Sequence, residues 1–107
     1  MKTMEKLVKN GIFLSLNDAV LLCKKFHVVE LSIFGSSIRE DFTENSDVDI
    51  LVSFDPNYPI SLFDIMELES EFSKLLNRSV DIVEKESLKN PIRKSKILSS
   101  REIIYAA

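Results

Sequence analysis

The sequence predicts an α/β (α+β) domain built on a small mixed sheet of about three to four strands flanked by helices. Three short runs have the apolar, β-branched character of strands, over residues 28–34, 47–54 and 80–83. Between the second and third runs, from about residue 61 to 77, apolar residues recur at the 3.6-residue period of an α-helix. A helix that joins two strands is typical of a βαβ crossover or of its antiparallel equivalent.

Apolar spacing and end signals predict four further helical segments. Asn10-Gly11 is a common stop signal for a helix over the first residues, and Asn17 with Asp18 marks the start of the next helix. Pro91 suits the first position of a final helix. The predicted segments are 1–14, 18–27, 37–42 (one or two turns) and 91–105.

Length and composition narrow the class of protein. The 107 residues are enough for one core, so we expect residues 1–107 to form a single domain. The net charge of −3 argues against general nucleic-acid binding, which needs clustered Lys and Arg. No apolar run approaches the roughly 20 residues of a membrane span, and the first residues lack the pattern of a signal peptide. With a single cysteine, and hence no internal disulfide, the chain is expected to be cytoplasmic.

Two other side chains could suggest chemistry, but both have simpler explanations. Cys23 lies in an apolar helical run and is interpreted as a small buried hydrophobic residue. His27 could be a ligand or a base, but we favour a solvated side chain at the end of the predicted helix.

A pair of aspartates opens the second predicted strand. In an extended backbone Asp47 and Asp49 point to one face, whereas Val48, Ile50 and Val52 point to the other. The second face is wholly apolar and must be the core side, so we expect the aspartates to stand on the open side.

A third aspartate, Asp81, lies within the next predicted strand. If the two strands are neighbours, Asp81 completes a cluster of three carboxylates, and this crowded negative charge calls for a cation. Mg²⁺ takes oxygen ligands and usually keeps substrate phosphates in its shell, which points to nucleotidyl transfer with metal ions clamping a triphosphate. Upstream, Gly35 would let the backbone approach a phosphate, and Ser36 offers a hydroxyl and an N–H at a helix start.

Together these motifs resemble the nucleotidyltransferase superfamily of DNA polymerase beta type. The residues that carry the resemblance are Gly35, Ser36, Asp47, Asp49 and Asp81. The small size and the Leu62-Phe63-Asp64 start of the long helix are similar to its minimal nucleotidyltransferases, which are often paired with a HEPN-domain protein. The resemblance covers about residues 18 to 105 and implies the nucleotidyltransferase fold.

The resemblance implies a role for each motif residue. The catalytic and metal-binding carboxylates would be Asp47, Asp49 and Asp81. The nucleotide-binding turn would contain Gly35, Ser36 and Arg39. Arg39 would either neutralise phosphate charge or anchor the short helix that follows. The implied cofactor is Mg²⁺, as a pair of ions, with ATP as the substrate.

The resemblance also implies a biological role, which leaves alternatives open. A paired minimal nucleotidyltransferase is an antitoxin that transfers AMP from ATP to a tyrosine of a HEPN toxin, an RNase. One alternative is a non-catalytic antitoxin that neutralises its partner by occlusion. Another is a small-molecule nucleotidyltransferase, which would need a further domain or a dimer to enclose the acceptor. A template-directed polymerase is disfavoured because the sequence has no basic track for a nucleic acid.

Overall fold

The computed structural model describes residues 5–8, 12–35, 43 and 46–107. Within them the strands are β1 (Glu5–Val8), β2 (Ile12–Ser15), β3 (Val28–Phe34), β4 (Val48–Phe54), β5 (Val80–Glu84) and β6 (Glu102–Ala106). The helices are α1 (Leu16–Lys25), α2 (Leu62–Leu76) and α3 (Pro91–Ser100), with a 3₁₀ turn at Lys85–Ser87. The predicted mixed α/β architecture is confirmed. No helix in the described ranges has both the length and the apolar content needed to cross a membrane.

Four of these strands form the central sheet, in the order β5-β4-β3-β6. Strands β4 and β5 are parallel, and α2 is the crossover between them, so of the two predicted alternatives the structure has the parallel βαβ unit. Strand β3 runs antiparallel to both of its neighbours, β4 and β6. The C-terminal end of β3 and the N-terminal ends of β4 and β5 therefore lie at the same end of the sheet.

Helices cover both faces of this sheet. On one face α1 and α2 pack over the main core, whose buried members include Cys23, Leu31, Ile50, Val52 and Phe72. On the other face α3 covers a smaller cluster formed by Phe34, Leu51, Leu88 and Ile97. Burial raises the pKa of Cys23 to about 12, as expected for a cysteine that serves as a packing residue.

The crossover helix α2 begins and ends with well-defined caps. Ser61 Oγ accepts a hydrogen bond from the Asp64 N–H at 3.2 Å, and the Asp64 carboxylate accepts one from the Ser61 N–H at 2.9 Å. This capping box lowers the pKa of Asp64, chiefly through the bond from the Ser61 backbone. At the other end Asn77 adopts the left-handed conformation, with φ of 54°. The predicted helix from about residue 61 to 77 is thus confirmed.

The predicted N-terminal helix is wrong. Residues Glu5–Val8 and Ile12–Ser15 form an antiparallel strand pair, with Val8 opposite Ile12. The Asn10-Gly11 pair, interpreted as a helix stop, is equally a signal for a strand-to-strand connection. Ile12 and Leu14 alternate into the main core, which is the period of a strand. Helix α1 then begins at Leu16 with Ser15 rather than Asn17 as its N-cap.

The predicted final helix is correct at its start and too long at its end. Helix α3 begins at Pro91 but stops at Ser100, and Arg101 has an extended backbone with ψ of 154°. The following residues form β6, which pairs with β3. The β-branched and aromatic residues of Ile103-Ile104-Tyr105 favour a strand, and the free edge of β3 provides its partner. The helical turns predicted over 37–42 lie outside the described residues.

Candidate active site

The parallel pairing of β4 and β5 brings two of the predicted aspartates together. Asp49 is the cross-strand partner of Asp81. Neighbouring strands lie about 4.8 Å apart, and side chains at paired positions share a face of the sheet. The residues before them, Val48 and Val80, are buried in the main core, so Asp49 and Asp81 lie on the opposite face.

The expectation that the aspartates are open to solvent holds at the start of the strands. Asp47 and Asp81 are exposed, and Asp49 is half-buried. Two residues further along β4 the same face is closed. Leu51 belongs to the cluster covered by α3 and is only 2% exposed. The face that we expected to be open is therefore closed at Leu51, between the half-buried Asp49 and the half-buried Ser53.

Gly35 directly follows β3 and lies beside Asp49. Its neighbour Phe34 is the cross-strand partner of Asp49, and the Gly35 backbone has a φ of +69°. A Cβ atom at this position would overlap the Asp49 carboxylate. Only glycine fits a turn that is both left-handed and this close to a side chain. The sequence motif thus marks a point where backbone and carboxylate are in close approach.

Two nucleotide-binding predictions, Ser36 and Arg39, lie outside the described residues. They follow Gly35 in the connection to β4, and their roles remain predictions. The other residue considered for chemistry, His27, is exposed and stacks on Tyr58 with ring centroids 3.8 Å apart. His27 is at the far end of β3 from Gly35, so it lies away from the carboxylates.

The turn ahead of β4 is held by an arginine that the motif search did not identify. Thr43 and Ser46 form the turn, with the Ser46 N–H donating to the Thr43 carbonyl at 3.0 Å. Arg78 Nη2 donates to the same carbonyl at 2.8 Å. No pattern in the sequence links position 78 to position 43, because the two meet only through the β4–β5 pairing.

A magnesium site would have to form around these carboxylates. Among the residues that the structure describes, no three His, Cys, Asp or Glu side chains are grouped closely enough to hold a metal by themselves. Mg²⁺ is usually held by one or two carboxylates together with water and substrate phosphates, not by an all-protein cage. The hard oxygen donors of the register-paired Asp49 and Asp81 suit this ion, and Gly35, with no Cβ, lets the Asp49 carboxylate lie directly against the backbone.

Comparisons with known proteins show the family to which the chain belongs. The family model for the nucleotidyltransferase domain matches residues 20–104. The chain is 44% identical over 84 residues to the protein adenylyltransferase MntA of Thermococcus cleftensis, covering 78% of this chain and 80% of that protein.

Solved structures show the same fold. A structure described provisionally as a minimal nucleotidyltransferase superposes with a TM-score of 0.66 at 30% identity, covering 80% of this chain and 85% of that one. A chain from the complex of tri-AMPylated Shewanella oneidensis HEPN toxin with MNT antitoxin superposes with a TM-score of 0.60 at 18% identity. In that case 86% of this chain and 70% of the other are covered.

Proposed function

This chain belongs to the nucleotidyltransferase domain family and is a nucleotidyltransferase, and from that premise we propose its donor, acceptor and role. It transfers AMP from ATP to a tyrosine hydroxyl of a HEPN-type toxin, and acts as the antitoxin of that pair. The observation that carries the proposal is the register pairing of Asp49 with Asp81 beside Gly35. ATP is the substrate, and we place the protein in the cytoplasm.

The acceptor and partner are supported by relatives. The Thermococcus cleftensis protein, 44% identical over 84 residues, is named a protein adenylyltransferase, which implies AMP transfer to a protein. The Shewanella oneidensis complex pairs an MNT antitoxin of the same fold with a HEPN toxin that carries AMP groups. A tyrosine acceptor is what the family resemblance implies.

The three aspartates would hold Mg²⁺ in this proposal. Bound Mg²⁺ neutralises the charge of the triphosphate and of the leaving pyrophosphate. Asp47 and Asp49 would face the metal-bound nucleotide phosphates, and Gly35 would let the backbone approach them. Ser36 and Arg39, which follow Gly35 in the sequence, are the other predicted phosphate-binding residues. The Asp81 carboxylate accepts the proton of the incoming hydroxyl. The hydroxyl oxygen then bonds to the α-phosphorus, the bond from that phosphorus to the β-bridging oxygen breaks, and pyrophosphate leaves.

The test incubates this chain with a purified HEPN-type partner, Mg²⁺ and ATP. Label at the α-phosphate should appear on the partner, and label at the γ-phosphate should not. Intact-mass measurement should show additions of AMP, and fragmentation should locate them on tyrosine.

The matched control is the double variant Asp47→Asn with Asp49→Asn, which should remain folded and transfer no AMP. Tight binding of the partner without labelling would contradict the proposal and favour occlusion. Transfer that persists in the double variant would show that the site is elsewhere.

A further inference from the structure

A hydrogen bond links the two segments of chain that lead into the aspartate-bearing strands. Arg78 Nη2 donates to the carbonyl oxygen of Thr43 at 2.8 Å. Thr43 precedes β4 and Arg78 precedes β5. The bond therefore joins the segments just ahead of Asp47 and Asp81.

The backbone of Arg78 is anchored at the end of α2. Its N–H donates to the carbonyl of Ser73 at 3.2 Å, and Ser73 Oγ donates to the carbonyl of Arg78 at 2.6 Å. Asn77, in the left-handed conformation, ends the helix immediately before it. The guanidinium thus extends from a fixed point toward the turn ahead of β4.

The segment at the other end of this bond leads into Asp47. Asp47 lies one residue before β4, between Ser46 and the first strand residue, Val48. The Val48 N–H donates to the Ser79 carbonyl at 2.9 Å, which begins the contact with the chain entering β5. On the other side of Asp47, the Thr43–Ser46 turn is closed by the Ser46 N–H and by Ser46 Oγ, which accepts from the Thr43 N–H at 3.1 Å.

We propose that Arg78 is a positioning residue for the metal-binding carboxylates. By holding the Thr43–Ser46 turn it fixes the point from which Asp47 enters β4, so that Asp47 can join the paired Asp49 and Asp81 when a metal ion binds. It does not touch the metal itself. The inference rests on the proposed assignment of the three aspartates. An arginine suits the task because its guanidinium is always charged and presents planar, directional donors. Loss of a residue that orients metal ligands typically weakens metal affinity by about 10–100-fold.

The test measures binding of Mn²⁺, as a spectroscopic substitute for Mg²⁺, by electron paramagnetic resonance on the full chain. In Arg78→Ala we expect the Kd for Mn²⁺ to rise about tenfold or more. Arg78→Lys keeps the charge and one donor and should restore part of the affinity. In transfer assays the Mg²⁺ concentration for half-maximal rate should rise, whereas the rate at saturating Mg²⁺ should stay near that of the wild type.

Two further variants separate positioning from general loss of structure. Arg93→Ala removes an exposed arginine of α3 and should leave the Kd unchanged. Ser46→Ala loosens the same turn without altering Arg78, so it should raise the Kd and add little when combined with Arg78→Ala. If Arg78→Ala does not fold, the Kd for Mn²⁺ is compared in Arg78→Lys and Ser46→Ala instead.

Unchanged Mn²⁺ binding in folded Arg78 variants would overturn the positioning role. Changes in the Kd for Mn²⁺ that are additive when Arg78→Ala and Ser46→Ala are combined would also overturn it. The proposed function fails in a different way, if the wild-type chain binds Mn²⁺ but transfers no AMP to the partner.

Discussion

Gly35 combines an unusual backbone conformation with a close side-chain neighbour, so its substitution should affect both stability and the proposed site. Its φ is +69°, and a Cβ would overlap the Asp49 carboxylate. An L-residue in the left-handed region costs about 1–2 kcal/mol from conformation alone. Gly35→Ala should therefore lower the free energy of unfolding by more than that, and should also reduce Mn²⁺ binding and AMP transfer because Asp49 is displaced. Chemical denaturation and the two site assays measure these effects.

His27 provides the control for this substitution. It also has a positive φ, 58°, but lies at the other end of β3 from Gly35. His27→Ala should lower the free energy of unfolding by about 1 kcal/mol or more, since it also loses the stacking on Tyr58, with little change in Mn²⁺ affinity. Equal effects of the two variants on Mn²⁺ binding would refute a specific contact between position 35 and Asp49.

At the same scale, the sequence could identify some site residues and not others. Gly35, Asp47, Asp49 and Asp81 were predicted because the role proposed for each requires its residue type. Arg78 was missed because its role depends on a contact with the carbonyl of Thr43, and any residue can supply a carbonyl. Backbone acceptors leave no signal in the sequence.

Among the elements, those with a single consistent pattern were predicted correctly. Strand β3 was predicted at its observed bounds of Val28–Phe34, and α2 carries both its helical period and its capping residues. The hairpin β1–β2 and the strand β6 were predicted as helices because their short apolar runs fit either period. What decided their structure was tertiary: Ile12 and Leu14 enter the core, and β6 completes the edge of the sheet next to β3.

A half-buried ionic cluster connects the start of β6 to β3. Glu30 on β3 is paired with Lys85, which follows β5, at 3.0 Å, and with Arg101, which precedes β6. The side chain of Glu30 is 20% exposed. Burial alone would raise the pKa of Glu30, but the hydrogen bond from Lys85 and the charges of Arg101 and Lys85 outweigh it. The pKa of Glu30 therefore lies below its ordinary value of 4.5.

This cluster predicts how stability depends on pH. The pKa of Glu30 is lower in the folded than in the unfolded state. The ionised carboxylate therefore contributes fully to the free energy of unfolding above the unfolded pKa near 4.5, and this contribution is lost as the pH falls below it. Glu30→Gln should lower the free energy of unfolding at pH 7 by about 2 kcal/mol. Denaturant titrations should show the gap from the wild type closing as the pH is taken from about 5 toward 3.

A surface pair is the control for Glu30. Glu67 lies 3.8 Å from Lys25, and both side chains are more than half exposed. Glu67→Gln should change stability by no more than about 0.5 kcal/mol at pH 7. A gap for Glu30→Gln that stays constant between pH 7 and pH 3 would show that its ionised form is not what stabilises the fold.

In the whole molecule, helices close both faces of the sheet and leave the start of β4 and β5 open. Leu51 is buried while Asp81, on the neighbouring strand and on the same face, is exposed. The chain already carries a net charge of −3, and the site concentrates negative charge at this opening. A cation is therefore expected to stabilise the fold as well as support the reaction. The sequence predicted the carboxylates, but the extent of the opening follows from where α3 lies.

Substitution of Asp81 should separate the effect of the carboxylates on stability from their effect on activity. Like charges on paired positions of neighbouring strands are destabilising, and Asp81 is paired with Asp49. In the presence of EDTA, Asp81→Asn should therefore have a higher Tm than the wild type. With Mg²⁺ it should lack the rise in Tm expected of the wild type, and its AMP transfer should fall by about 100-fold or more. Glu84→Gln, at the far end of the same strand, should keep both the Mg²⁺ effect and the transfer rate. A lower Tm for Asp81→Asn in EDTA would mean that repulsion between Asp49 and Asp81 does not destabilise the fold. An undiminished rise in Tm with Mg²⁺ would mean that the two aspartates do not share a cation.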